Sequence, residues 1–373
     1  MAPLYMHDAE RVARALPIPR AEDRVFTRPP EDEERKRHMA FQLNRGLSDI
    51  MTAVPEALVF GEDVSRKGGV YHVTAKLVEQ FGVGRVFNTL LDEQTILGLA
   101  IGATHAGLLP IPEIQYLAYL MNAIDQLRGE AGSMQFFSNG QYNNGMVVRI
   151  AGLAYQKGFG GHFHNDNGIA AITEIPGILV GCPARGDDGV GMLRTMVTAA
   201  RELGRVCVFL EPIALYMTKD LHEDGDGEWL THYPAPTEHV PVGDIAAYGD
   251  GTDLCIATYG NGLWMSLRVA RRLEDMGHRV RVLDLRWLCP LPVEQVLPHA
   301  VETGKMLIVD ECRANSGIAD KLFAEIVERD HRIRVRRLTA PDTYIPLGAA
   351  ANLVLVDEQG IEEAALKLLA EAP

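Results

Sequence analysis

A chain of 373 residues is too long for one ordinary domain and suits two, each large enough to bury its own core. Hydrophobic residues make up 47% and charged residues 23%, the balance of a folded globular chain, while a formal net charge of −14 without any basic run excludes a nucleic-acid-binding surface. The cysteines (Cys182, Cys207, Cys255, Cys289, Cys312) are widely spaced with no CxxC pair, so neither a zinc site nor a disulfide framework is expected. The N-terminus lacks a signal-peptide pattern and no apolar run is long enough to span a bilayer, which leads to the expectation of a cytoplasmic protein without membrane contact.

Residues 1–36 are rich in Pro, Arg and acids and read as an extended arm leading into a helix over about 32–53. From Ala57 short β-branched runs alternate with longer helical patterns: ALVFGEDV, a helix opened by Asp92, IPEIQY, a helix through NAIDQLRGEAGSMQFF, MVVRIAG, GILVGCP, a helix through VGMLRTMVTAARE, and VCVFLEP. This alternation predicts parallel βαβ units in a doubly wound sheet over 37–216. Residues 217–242 break the pattern with Pro, Gly and acid and read as a linker. Over 243–373 the alternation resumes with LCIATYG, a helix through LWMSLRVARRLEDMG, VRVLDLRW, a helix through VEQVLPHAVETG, KMLIVDE, IADKLFAEIVERD, VRRLTAP and a final helix EEAALKLLAEA. The fold class expected is therefore α/β, with two doubly wound domains, the second the smaller.

Three features carry candidate chemistry. Asp92 has the character of an N-cap and Glu93 falls in the first helical turn after a strand, where an acid suits the helix dipole and where ligands bind in α/β sheets. The stretch GLAYQKGFGGHFHNDNG combines glycines with His162 and His164 and with Asn165, Asp166 and Asn167; such loops carry binding or acid–base work, and no companion ligand for a metal stands nearby. Two Gly-Asp-Gly tripeptides, 225–227 and 249–251, invite a thiamine-diphosphate magnesium motif, yet neither has an Asn at the required distance in a fitting context, and both read as turns.

The segments GEDVSRKGGVYHVT, LDEQTILGLAIG, GLLPIPEIQYLAYLMNAIDQL, GGHFH, IPGILVGCPA, VFLEPIALY, LDLRWLCPLP and TGKMLIVDE, in this order from Leu58 to Leu369, resemble the β subunit of the thiamine-diphosphate-dependent first component of 2-oxoacid dehydrogenases, in the transketolase superfamily. The resemblance implies that residues 37–216 form a pyrimidine-binding transketolase-like domain and residues 243–373 a transketolase C-terminal domain. It places Glu93 against the aminopyrimidine ring nitrogen of the cofactor, where a carboxyl group activates it, and puts Tyr119 and Gln115 among the cofactor-binding residues. It makes His164 the active-site histidine on the substrate side, with His162 as its neighbour. The diphosphate and Mg2+ would lie on an α-type chain in an α2β2 assembly, and a lipoyl acyltransferase core would accept the acyl group.

Where close relatives usually read His-Tyr-His-Ser-Gln, this chain reads His162-Phe163-His164-Asn165-Asp166, which adds an acid beside the histidine. The N-terminal arm resembles the connecting region of relatives in which the two halves are fused. Two other readings stay open on the sequence alone: a transketolase-like or acetoin-cleaving carboligase subunit, and a non-catalytic scaffold subunit.

Overall fold

The structure, a computed structural model, describes residues 35–155, 161–315 and 317–371, so the expected arm lies outside the described residues except for its last two. Twelve strands occur among the described residues: β1 (Ala57–Gly61), β2 (Val86–Asn88), β3 (Leu109–Ile114), β4 (Met146–Gly152), β5 (Leu179–Gly181), β6 (Val206–Pro212), β7 (Ala246–Tyr248), β8 (Leu254–Thr258), β9 (Val280–Asp284), β10 (Trp287–Cys289), β11 (Lys305–Arg313) and β12 (Arg334–Ala340). They form a seven-stranded sheet, β10-β5-β6-β4-β3-β1-β2, and a five-stranded sheet, β12-β11-β8-β9-β7. Only the edge strands β10 and β7 run antiparallel to their neighbours. Strands β4 and β6 are buried at every residue, as expected of a parallel sheet covered on both faces.

Helix α1 (Met39–Ala53) begins at Met39, not near 32. Arg37 bridges to Thr231 in extended backbone, and the His38 ring Nδ1 accepts the Phe41 N–H, which caps the helix. Its buried residues Leu43, Leu47, Ile50 and Met51 recur at helical spacing and belong to the core beneath the sheet. The segments α2 (Leu77–Phe81), α3 (Glu93–His105) and α4 (Leu117–Leu120) follow. The single helix expected through 122–137 is instead broken into a 3-10 turn (Met121–Ala123), a π-turn (Gln126–Ala131) and α5 (Met134–Phe137). Gly129 and Gly132 weaken the helix there, Gly132 N–H reaches back to Leu127 O at 2.8 Å, and the Ser133 hydroxyl turns onto Gly129 O. Helices α6 (Ala170–Thr173) and α7 (Gly186–Leu203) follow, and the core residues of α1 and α7 lie in one cluster while those of α3, α4 and α6 lie in another.

The run VRVLDLRW, expected as one strand, serves both sheets. The chain turns at Arg286, whose φ is +56°, so that β9 lies in the second sheet and β10 pairs with β5 in the first. Arg286 Nη2 pairs with Asp188 Oδ1 of α7 at 2.6 Å, and its N–H donates to Asp284 Oδ1 at 3.1 Å. Asp284 is fully buried and its Oδ2 finds no partner among the described residues. Burial foremost, then the charge of Asp188, pushes its carboxyl up to about 7 against the opposing influence of Arg286, its N–H and Arg185. A carboxyl whose folded value is raised gives stability that is complete below about pH 4, its unfolded range, and is lost as the pH climbs through 7. The wild-type chain is therefore expected to lose melting temperature between pH 5 and pH 8 relative to Asp284→Asn, read by differential scanning fluorimetry. Parallel pH profiles for the two proteins would contradict this account.

Residues 217–242 contain no helix and no ladder strand, yet they are tied down. Arg194 of α7 donates to the carbonyls of Ala235 and Glu238 at 2.6 and 2.7 Å, and Gln42 Nε2 donates to Thr231 O at 2.7 Å. Both Gly-Asp-Gly tripeptides lie in loops. The Asp226 carboxylate accepts the N–H groups of Leu221, His222, Glu223 and Glu228. Desolvation works to raise this carboxyl, but those N–H donors outweigh it and hold it well below the usual range.

Candidate active site

The C-terminal ends of β1, β3 and β4 lie side by side in the first sheet, and it is in the crevice at such ends that parallel α/β sheets bind ligands. β1 and β3 approach closely there: a Cβ on Gly61 would meet Glu113 O at 2.5 Å. Glu93 stands at the first position of α3 and is buried, 7% exposed, with the helix N-terminus favouring its negative charge. The Asp92 side chain does not cap the helix; it accepts from the Thr95 hydroxyl instead. Asn122 Nδ2 donates to Glu93 Oε2 at 3.2 Å.

Burial foremost, then the charges of Asp63 and Glu93, raises the Glu62 carboxyl against the pull of Lys67. The phenols of Tyr116 and Tyr119 are likewise raised by burial, and for Tyr119 the neighbouring Tyr116, Glu62 and Glu93 add to it. Glu62, Glu93, Tyr116 and Tyr119 thus share one electrostatic neighbourhood. Asn122 and Glu62 were not singled out from the sequence. A polar residue three positions after Tyr119, and a second acid at the end of ALVFGEDV, were the available signals.

His164 comes from the glycine-rich stretch. Its ring lies edge-on to Tyr116 at 4.9 Å between centroids and 5.8 Å from Tyr119, while Tyr71 and Tyr216 continue the aromatic cluster behind Tyr116. Gln115 is half-buried just beyond β3. His162 points elsewhere: its ring packs at a tilt against Phe163, 4.1 Å between centroids, and against Tyr344, at 4.7 Å. The structure thus groups Glu93, Tyr119 and His164 and separates His162 from them. Residues 156–160, the middle of the glycine-rich stretch, lie outside the described residues. Among the described residues, no cluster of three or more His, Cys, Asp or Glu could hold a metal ion, and no helix is long and apolar enough to cross a membrane.

The second sheet contacts the chain just beyond β4. Glu311 Oε2 accepts the Ala154 N–H at 3.1 Å and Oε1 accepts from Asn261 Nδ2 at 2.9 Å; burial pushes its carboxyl up to about 7 against those two donors, with Asp310 adding to the rise. Glu311 thus belongs to the contact between the two sheets.

Two domain families and several known proteins match this chain. Residues 36–218 match the transketolase pyrimidine-binding domain and residues 243–365 the transketolase C-terminal domain. The "Pyruvate dehydrogenase E1 component subunit beta" of Bacillus subtilis is 32% identical, over 84% of this chain and 92% of its own. The "2-oxoisovalerate dehydrogenase subunit beta" of the same organism is 32% identical, over 88% of this chain and 97% of its own. A solved structure described as "Split gene transketolase, inactive beta4 tetramer" superposes with a TM-score of 0.70 at 17% identity, over 90% of this chain and 99% of its own, and shares the fold. On the site geometry, both domain matches and identity over nearly the whole length of these relatives, the chain belongs to the family of β subunits of the E1 components of 2-oxoacid dehydrogenases.

Proposed function

We propose that this chain is the pyrimidine-binding half of a thiamine-diphosphate-dependent 2-oxoacid decarboxylase, completed by an α-type subunit in an α2β2 assembly and passing its acyl product to the lipoyl group of an acyltransferase core. The observation that carries the reading is the buried Glu93 carboxylate at the mouth of the first sheet, whose charge reaches the Tyr119 phenol, with the Tyr119 and Tyr116 rings in turn against His164. This donor set fits the aromatic half of the cofactor: one shielded carboxyl, aromatic faces and polar groups at the rim. Bound there, thiamine diphosphate supplies the electron sink for loss of carbon dioxide from a 2-oxoacid.

The remaining work falls to the chain's own side chains. Glu93 holds a proton at the ring nitrogen of the pyrimidine, and Asn122 fixes its carboxyl. Tyr119 and Tyr116 offer apolar surface and exclude water, and Gln115 offers an amide at the rim. His164 donates to the substrate's carboxylate or carbonyl. His162, beside the exposed Phe163 and Tyr344, belongs to the entrance through which the 2-oxoacid and the lipoyl group arrive. We assign the Mg2+ and the diphosphate to the α-type chain, since Asp226, in one of the two tripeptides that could suggest them here, spends its carboxylate on backbone N–H groups.

The test is to co-purify the chain with an α-type subunit, titrate thiamine diphosphate and Mg2+ by calorimetry, and assay a panel of 2-oxoacids with an artificial electron acceptor and with a lipoyl domain. Cofactor binding and turnover only in the assembled pair, with acylation of the lipoyl domain, are expected. A pair that forms yet never binds cofactor would point to a scaffold subunit; turnover without lipoyl acylation would point to a carboligase.

A further inference from the structure

The acid that distinguishes this loop does not stand free beside His164. Asp166 Oδ1 pairs with the Nη2 of Arg313, at the end of β11, and also accepts the Asn167 N–H at 2.9 Å. Arg313 reaches the end of β11 across an irregularity in its pairing with β12, where the register jumps between Asp310 and Arg313. From there its Nε donates to Thr343 O at 3.2 Å, and its guanidinium lies 6.0 Å from the centre of the Tyr344 ring, the ring that packs against His162. One cation therefore grips the His164 loop on one side and the segment behind it on the other.

The neighbouring loop residues are anchored in the same way. Asn165 Nδ2 donates to Leu153 O at 3.3 Å, and Asn167 Nδ2 donates to Glu311 O at 2.6 Å; both asparagines are buried. His162 N–H donates to Ile345 O at 3.0 Å. Gly161, at φ +57°, lies so close to that segment that a Cβ would meet Ile345 O at 2.6 Å. Anchors from residues 311, 313 and 345 thus all come from the second sheet and its following loop, while His164 itself faces tyrosines of the first.

We infer that Asp166 and Arg313 form a latch between the two domains that sets the position of the His164 ring over the crevice, which makes both of them positioning residues for the substrate step. A partly exposed ion pair adds little to stability, so its consequence lies in where it holds the loop. The inference rests on the proposed role of His164. It also gives the Asn165-Asp166-Asn167 sequence a physical meaning: two amides and one carboxylate, each fixed to a different partner, leave the imidazole that precedes them as the side chain directed at the tyrosines.

The test uses the assembled complex with Asp166→Asn, Arg313→Gln, the double variant, Arg313→Lys and His164→Ala, each measured for kcat and KM with the preferred 2-oxoacid, for thiamine-diphosphate affinity and for melting temperature. Each single neutralisation is expected to lower kcat/KM about ten-fold, mainly through KM, as a displaced binding group would. The double variant should be no worse than the poorer single, Arg313→Lys should recover most of the loss, and cofactor affinity and melting temperature should stay near wild type. Losses that multiply in the double variant, or that track melting temperature alone, would overturn the latch. If His164→Ala abolishes turnover while Asp166→Asn and Arg313→Gln keep wild-type kcat and KM, the latch alone fails. If His164→Ala itself turns over normally, the reading of His164 falls and takes the latch with it.

Discussion

Glu93→Gln, assembled with the α-type subunit, is expected to lose about a hundred-fold or more of its 2-oxoacid turnover, the lower range for removal of a positioned acid–base group. The substitution is nearly isosteric, and Asn122 Nδ2 can still donate to the amide oxygen, so local packing is preserved. What disappears is a group able to hold and release a proton at the crevice. A glutamine amide neither gives up nor accepts a proton near neutral pH. Melting temperature should change little, because an acid at a helix N-terminus contributes only about 0.3–1 kcal/mol to stability. Turnover within ten-fold of wild type, in a complex shown by calorimetry to bind cofactor, would remove Glu93 from the chemistry. The candidate acids left in that neighbourhood would be Glu62 and Asp63.

The parts of this arrangement that the sequence discloses are those governed by local pattern. MVVRIAG and VCVFLEP are continuous apolar runs and become fully buried parallel strands, and an acid directly after Asp92 falls in a first helical turn. Pattern fails where the decisive partner is distant. The Asn165-Asp166-Asn167 cluster is conspicuous in the chain, but the groups that hold Asp166 and Asn167 lie 147 and 144 residues further on. VRVLDLRW reads as one strand because no Gly, Pro or Asn interrupts it; only the left-handed backbone at Arg286, paired to Asp188 of a remote helix, sends its two halves into different sheets. Asn122 was legible as a helical residue and not as a partner of Glu93, since the interrupted helix that presents it depends on glycines whose effect emerges only with the packing around them.

The same limit applies to three charges hidden in apolar strands, and they give the largest expected change in stability. Arg149 of β4 is fully buried between Glu113 of β3 and Glu211 of β6: Nη1 meets Glu113 Oε2 at 2.7 Å, Nε meets Glu211 Oε1 at 2.7 Å, and Nη2 donates to Glu211 Oε2 at 2.9 Å. The Tyr216 hydroxyl donates to the same Glu211 oxygen at 2.6 Å, and its ring packs against Tyr71 in the cluster behind Tyr116. Burial alone would lower the guanidinium's pKa; Glu211 and Glu113 outweigh it and hold the proton more firmly. Burial raises Glu113 even with Arg149 beside it. Arg149→Met would leave two carboxyls in the interior without their cation, and removing one partner of a buried ion pair costs about 3–5 kcal/mol. A drop in melting temperature on the order of 10 °C is expected at pH 8. The deficit should shrink towards pH 5, because an unpaired buried carboxyl has a raised folded pKa and its burden is relieved when it binds a proton. Combining Arg149→Met with Glu113→Leu and Glu211→Leu should restore much of the loss, since apolar side chains of similar volume can replace a buried charge network. A pH-independent deficit, or a triple variant less stable than Arg149→Met, would mean that these charges hold the strand ends by geometry that apolar packing cannot reproduce, and Gln115 and Tyr116, which follow β3 directly into the crevice, would be the first residues displaced.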